Sequence, residues 1–539
     1  MQRILQSKRL QTILSSLFPA LVFAFLAGML LQHVNAPLLE RHSWRQADTA
    51  SFARGLAEGR FDVLHPRFLA CYPDAYGLDG AVETEFNLYP LLVAGLYRLF
   101  GVHEALARLV SIAFSLGTAA WVYLLAKRYF GRRAALLATL FLGLSPLYVF
   151  YGRTVQPEAT ALFFSVGALY WFTQWLESER WGHWALATGM AALAFLCKIP
   201  TLYIGLPLLG AAWLKWRWQL FRQGWLWLFG LLTLAPAALY YLHAHQLYLQ
   251  SGLTVYGISG GWPGSGKFDT WGQLCSPDFY RVMLRRLRGI ILGRYGFLCL
   301  LLGLALRPRH REEGILYLWL AAVGLFILGV AQGNRQHEYY QLPLVPVAAL
   351  FVGKALAALS APGALHLDVI LLRQKLGAFL AGLLLLLNLR SAWGYLPKMY
   401  QQTEILLEVA AATERLTPAD APVAIIYDWA RVPEVFYYAQ RRGWALWLER
   451  TPAGEYGRLI IAERERTPKG WLIREKLESD PSRIELLRAQ GAASLVVSLE
   501  KGTTSEFLRS PIGRALGERY PLIGSGEHWL IYDLRHPKG

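Results

Sequence analysis

Residues 41–58 read RHSWRQADTASFARGLAE, and the fold follows from where this stretch sits. It comes soon after Thr12 to Gln32, the first long apolar run of the chain. About 20 apolar residues cross a bilayer, so the polar stretch emerges at a membrane surface. Trp44, Ala47, Phe52 and Leu56 recur at near one-turn spacing, with Arg45, Asp48, Arg54 and Glu58 between them. That pattern predicts an amphipathic helix along the interface, holding Asp48 over the membrane. Arg45 precedes Asp48 by one turn and favours its ionised form. The competing reading is a surface ion pair between the two, worth about 0–1 kcal/mol.

Working outward, 55% of the 539 residues are hydrophobic and only 17% are charged, the composition of an integral membrane protein. The formal net charge is +17, yet Lys and Arg fall mostly in short gaps between apolar runs. Positive-inside topology and anionic lipid therefore explain the charge better than nucleic acid does. Apolar runs near 12–32, 104–126, 134–151, 157–176, 183–197, 200–214, 224–243, 288–306, 314–332, 340–358 and 376–393 predict about eleven transmembrane helices. The first is read as a signal anchor, with Arg3, Lys8 and Arg9 keeping the N-terminus cytoplasmic. Alternation then puts Lys127, Arg128, Arg132 and Arg133, Lys215, Arg217 and Arg222, and Arg307, Arg309 and Arg311 inside. The short outside gaps keep one cation each: Arg153, Lys198 and Arg335. The outside stretch near 244–287, with Lys267, Arg281, Arg285 and Arg286, runs against this count.

Leu88 to Phe100 (LYPLLVAGLYRLF) is too short to cross, and counting it would turn every later basic gap outward. It is read as a second interfacial helix. The first external loop then runs from about 33 to 103 and carries Asp48, Glu83 and Glu85. Cys71 and Cys275 either pair across two external loops or stay free thiols.

Beyond Trp393 the chain turns polar. PVAIIY (422–427), LIIA (459–462), ASLVVSL (493–499) and WLIY (529–532) read as strands, with helical patterns at 402–415 and 471–478. The predicted architecture is mainly α: a polytopic domain over 1–394 and a small external α/β domain over 395–539.

Arg153 in GRTVQPE, Lys198 in CKIP, and Arg335 and His337 in GNRQHEYY fall on the same side as the acidic loop. Each lone cation is otherwise a snorkelling anchor. Together, joined by Arg294 and Arg108, they suit a phosphate or pyrophosphate. GWPGSGK (261–267) is followed by Phe268 where a P-loop needs Ser or Thr. His337 has no second His or Cys at ligand spacing, so no metal site is read. Asp428 to Glu434 (DWARVPE) is the most polar-aromatic patch of the C-terminal domain and is read as shaping the acceptor entrance rather than doing chemistry.

Four features carry a family resemblance. They are WRQADTASFARGLAEG after the first span, the run from Tyr89 to Phe164 with its LFG turn, basic turn and Ser-Pro, LCKIPTLYIGLPLL (196–209), and HEYYQLPLVPVAALF (337–351). Over about 1–393 the chain resembles the GT-C membrane glycosyltransferases, in particular the group of aminoarabinose transferase and the protein O-mannosyltransferases. The resemblance implies transfer of a sugar, with inversion, from a polyprenyl-phosphate donor. The acceptor would be a lipid, glycan or protein on the outer face of a bacterial cytoplasmic membrane. It implies Asp48 as the catalytic carboxylate and Glu83 or Glu85 as a second acid. Arg153, Lys198, Arg294, Arg335 and His337 would hold the donor phosphate. Trp44, Arg45, Glu158, Tyr339 and Tyr340 would hold the sugar or acceptor. No cofactor is implied with certainty, and a divalent metal ion stays open. The chain departs from the group where Phe86-Asn87-Leu88-Tyr89-Pro90 replaces its Glu-Lys-Pro-Pro, and where Thr49 follows Asp48 in place of a second acid. A flippase of lipid-linked sugars, without transfer chemistry, is the alternative. Neither a broken-helix pair nor two-fold symmetry is legible to support it.

Overall fold

The computed structural model describes residues 8–255, 270–361, 370–428, 433–450, 455–468, 470–479 and 481–538. The GWPGSGK stretch and residues 429–432 of DWARVPE lie outside them. The chain forms two compact units. One comprises Met1–Asn35, Ala105–Tyr240 and Lys267–Tyr400; the other comprises Ala36–Glu104, Tyr241–Gly266 and Gln401–Gly539. The loop after the first apolar helix thus groups with the C-terminal domain, whereas the sequence suggested that it belongs with the spans.

The first unit is helical. Among the described residues, Glu104–Phe130, Gly224–Ser251, Arg311–Gly329 and Leu376–Met399 are long and apolar enough to cross a membrane. Pro277–Ile291 and Gly293–Ala305 form a pair bent by 102° that adds a fifth crossing if taken as one. A bent pair is therefore present although none was legible. Several of the other expected spans are cut by local chemistry. The run 134–151 breaks at Gly143 to Ser145 into Arg132–Leu142 and Pro146–Tyr151. Ser145 caps the second piece, with Pro146 at its first position. The runs 183–197 and 200–214 become Trp181–Cys197 and Gly205–Trp216, joined by a 3-10 stretch over Ile199–Ile204.

The second unit is built on a mixed sheet. Its strands are β1 (Ala70–Cys71), β2 (Val423–Tyr427), β3 (Gly443–Arg450), β4 (Tyr456–Thr467), β5 (Gly470–Glu478), β6 (Ser494–Ser498), β7 (Leu522–Ser525) and β8 (Trp529–Asp533). The order is β5-β4-β3-β2-β6-β8-β7, with β2 parallel to β3 and β6 and the outer pairs antiparallel. β1, from the first loop, lies parallel to β3 with Ala70 opposite Gly443. A Cβ on Gly443 would sit 1.7 Å from the Val423 carbonyl oxygen, so only glycine fits where the three strands meet. β2 and β6 are buried throughout and read as continuous apolar runs, as strands covered on both faces do.

The helix expected at 471–478 is strand β5 instead, paired along its whole length with β4. Its WLIREKLE places apolar residues at helical spacing, but the ladder offered by β4 overrides that preference. Cys71 is buried and Cys275 exposed, and both are free thiols.

Four helices of this unit position the site: α1 (Ser43–Ala57), α2 (Leu88–Phe100), α3 (Ile405–Leu416) and α4 (Pro433–Ala439). α1 packs against both α2 and α4.

Candidate active site

α1 was expected to have one wet face. It is buried on nearly every side, from Arg45 through Ala53 and again at Gly55 and Leu56. The cause lies in its neighbours. Phe52 stacks on Phe68 with ring centroids 5.8 Å apart, and Gly55 leaves room for the Phe61 ring. Buried hydroxyls are satisfied along the helix itself, Thr49 donating to the Arg45 carbonyl at 2.8 Å and Ser51 to that of Ala47 at 2.7 Å. The chain enters α1 through His42 at φ 54°, a left-handed conformation for a residue that has a Cβ. Such strain costs about 1–3 kcal/mol and persists where the surroundings enforce it.

Asp48 is 4% exposed. A carboxylate so placed must be compensated by its surroundings or held neutral. One turn away, Arg45 donates from Nη2 to Glu85 Oε2 at 3.0 Å, both side chains largely buried. The structure therefore ties Glu85 to the Asp48 helix. Trp44, beside Arg45, is half-buried and meets His42 edge-on. Glu83 points elsewhere. It accepts from Thr254 Oγ1 at 2.5 Å, lies 3.3 Å from His245 Nδ1, and its backbone bridges Leu253 and Val255. Glu83 is a strut between two loops.

In the first unit, Lys198 is ion-paired with Glu158 and lies over the rings of Tyr339 and Tyr340, 5.7 and 5.6 Å from their centroids. Four of the expected site residues thus converge, and Glu158 Oε2 has no hydrogen-bond partner among the described residues. They line a cavity of about 40 Å³. That volume is on the order of one water molecule, so it does not seat a phosphate as it stands. His337 stacks on Tyr339 at 5.3 Å. Arg335 pairs with Asp278 at 2.8 Å on the surface. Arg153 is wholly buried, donates to the His33 carbonyl at 3.2 Å and lies 4.7 Å from the Tyr400 ring centroid. The rings of Phe150 and Tyr400 enclose its guanidinium. Arg108, equally buried, donates to the Val34 carbonyl at 3.0 Å.

Arg294 lies in a far larger cavity. Its lining includes Arg281, Arg285, Arg288, Arg294, Arg390 and Lys398, with no acid among the described residues that line it, and its volume is about 840 Å³. Leu284, Leu387, Tyr295 and Tyr395 supply apolar wall. Cavities of roughly 300–1,000 Å³ hold small-molecule ligands, and a concentration of cations in one of them selects an anion. Among the described residues, no three His, Cys, Asp or Glu side chains converge as a metal-binding group.

With this geometry in place, comparison with solved structures is informative. ArnT from Cupriavidus metallidurans in the apo state matches with a TM-score of 0.59 at 16% identity, over 97% of this chain and 98% of that one. The same protein bound to undecaprenyl phosphate matches at 0.57 and 14%, with the same coverage. An Archaeoglobus fulgidus oligosaccharyltransferase in complex with Zn and sulfate matches at 0.55 and 14%, over 95% of this chain and 73% of that one. The chain has the GT-C fold. It is an integral membrane protein with a small C-terminal sheet domain.

Within the GT-C fold, residues 87–241 match the dolichyl-phosphate-mannose-protein mannosyltransferase family. That segment holds α2, Arg153, Glu158 and Lys198 but neither Asp48 nor the cationic cavity. An uncharacterized protein of Aquifex aeolicus is 32% identical over 127 residues, 23% of this chain and 25% of that relative.

Sequence reading missed two groups. Arg281, Arg285 and Arg288 recur at i, i+4 and i+7; the first two were weighed only as charge against the topology, and Arg288 fell at the start of the apolar run 288–306. Arg390 was hidden inside the last apolar run, and Lys398 lies just beyond its end. The second group is Glu434, on α4. It is 2% exposed, and its Oε2 has no hydrogen-bond partner among the described residues. Burial pushes its carboxyl up to about 8, against the pull of a Ser43 hydrogen bond and with added repulsion from Asp48 and Glu500.

Proposed function

We propose that this protein transfers a sugar from a polyprenyl-phosphate donor to an acceptor hydroxyl at the outer face of a bacterial cytoplasmic membrane, with inversion at the anomeric carbon. The observation that carries the reading is the six-cation cavity of about 840 Å³, set in the GT-C fold. A membrane-embedded anion needs charge to replace its hydration, and Arg forks match phosphate oxygens. The solved ArnT complex lends support, since it holds undecaprenyl phosphate.

Asp48 acts as the base. It takes the acceptor hydroxyl proton as the new C–O bond forms and the phosphate oxygen leaves the anomeric carbon. The cations stabilise the phosphate that departs. Glu85 acts through Arg45, holding the turn of α1 from which Asp48 projects. The N-terminus is cytoplasmic and residues 395–539 are external. The acceptor is a lipid, glycan or protein.

The test is turnover of polyprenyl-phosphate sugars by the purified protein in detergent, with glycolipids and glycans of a deletion strain compared by mass spectrometry. Transfer in detergent separates this reading from a flippase, which needs a bilayer. A chain that binds the donor but never transfers from it overturns the proposal.

A further inference from the structure

We propose that Glu434 joins Asp48 as the second member of a carboxylate–carboxylic acid pair, in which Asp48 is the ionised base and Glu434 keeps its proton and offers it as a hydrogen-bond donor to the bound substrate. The proposal rests on the reading of Asp48 as the base. It gives the C-terminal segment, expected only to line an entrance, a place in the chemistry.

The observations are geometric first. α4, which carries Glu434, packs directly on α1, the helix that carries Asp48. Both are buried, at 2% and 4% exposure. One carboxyl oxygen of Glu434 is buried and without a hydrogen-bond partner among the described residues, while its carboxyl meets the Ser43 hydroxyl at the start of α1. An unpaired buried carboxylate oxygen is costly, whereas a protonated one needs only an acceptor. Two buried acids that repel each other do not both ionise easily, so their roles separate.

Among the described residues, the surroundings favour the neutral form. α1 contributes Ser43 and Asp48, and the turn after β6 contributes Glu500, another acid. The cations of α1 are engaged elsewhere, Arg45 with Glu85 and Arg54 with Glu58. On α3, packed alongside, Glu408, Glu414 and Arg415 are exposed. On α4 itself the other titratable groups are Tyr437 and Tyr438, both neutral phenols, and Tyr438 accepts from the Leu38 amide at 2.6 Å. The carboxyl of Glu434 accordingly sits near 8 rather than 4.5.

In the transfer step, the acceptor O–H bond breaks, its proton goes to Asp48, the acceptor oxygen bonds to the anomeric carbon and the phosphate leaves with the electron pair of the broken C–O bond. Glu434 starts and ends protonated. It is the donor that orients a hydroxyl or ring oxygen toward Asp48 without competing for the proton.

Infrared difference titration of the full-length protein in detergent tests the pair without any substrate. A protonated-carboxyl band should persist at neutral pH, disappear as pH passes about 8, and be missing from Glu434→Gln. In Asp48→Asn its midpoint should move to lower pH, because a negative neighbour has been removed. A band that survives Glu434→Gln, or a midpoint that ignores Asp48→Asn, overturns the pair. With any donor that turns over, the rate should fall about tenfold per pH unit above that midpoint. That alkaline limb should be absent from Glu434→Gln, whatever the rate of the variant at pH 7. A limb that stays in the variant removes Glu434 from the reaction. If the titration behaves as expected but no donor is used, the pair stands and the transferase reading fails.

Discussion

Asp74 and Arg464 hold each other in a two-pronged ion pair, Nε to Oδ2 at 2.6 Å and Nη2 to Oδ1 at 2.8 Å, with both side chains almost entirely buried. The Arg464 amide adds a third bond to Oδ2 at 3.2 Å. Tyr72, Tyr76 and Trp471 close around the guanidinium. This clasp fastens the loop after the first apolar helix to β4.

Removing one partner strands the other charge in the interior, which costs about 3–5 kcal/mol. Asp74→Asn and Arg464→Gln should each lower the unfolding midpoint of the detergent-solubilised protein. The double variant should lose less than the two singles combined. Additive losses would show that the two side chains do not act as a unit.

Asp48→Asn keeps the shape of the side chain but cannot take a proton. The variant should insert normally and bind donor as the parent does, while turnover falls by about 10²–10⁴. Single-turnover rates beside donor affinity measure the two effects separately. Near-normal turnover would transfer the role of base to Glu85, the acid tied to the same helix.

The cationic cavity predicts which substitutions weaken the donor. Arg294→Ala, Arg390→Ala and Lys398→Ala should each lose about 1.5–3 kcal/mol of undecaprenyl phosphate binding, more at low salt than at high. Arg335→Ala should change binding little, because it removes a surface pair worth about 0–1 kcal/mol. Lys198→Ala should act on folding rather than on affinity, since it leaves the Glu158 carboxylate buried without its cation.

Glu434 makes stability depend on pH in a definite direction. Its carboxyl lies near 8 in the folded chain against 4.5 when unfolded, so between those values the folded protein holds a proton that the unfolded chain has lost. Its stabilising contribution is full below about 4.5 and is lost as pH rises through about 8. Unfolding midpoints across this window should slope downward, and Glu434→Gln should flatten the slope. An unchanged slope in the variant would falsify the assignment.

Reporter fusions test the threading. A fusion at 130, beside Lys127 to Arg133, should report cytoplasm, and one at 450 should report the outside. Equal signals would move Asp48 to the other face.

The parts of the fold that were legible are those decided locally. Leu88–Phe100 formed over the residues its apolar pattern and the following Gly101 marked. The covered strands β2, β6 and β8 were visible as short apolar runs between breakers. What could not be read depends on distant partners. β3 carries Trp444, Trp447, Glu449 and Arg450 without clear alternation, and β5 looks helical until β4 lies beside it. The two residues of β1 have no signal of their own. At the proposed site, Asp48 was singled out by its place in a charged helix after the first apolar run and by the family resemblance. Glu434 was overlooked because its meaning comes from burial against α1, which no spacing in the chain encodes.

The pairing of β1 with β3 also sets a schedule. Ala70 leaves the ribosome about 370 residues before Gly443, roughly 20–75 s at ordinary elongation rates. Throughout that interval the strand that follows the Asp48 helix in the chain lacks β3, while the spans in between are still being inserted. A nascent or truncated chain can therefore be threaded through the membrane and still lack the sheet against which its loop settles. Competence arrives late, with the last quarter of the polypeptide.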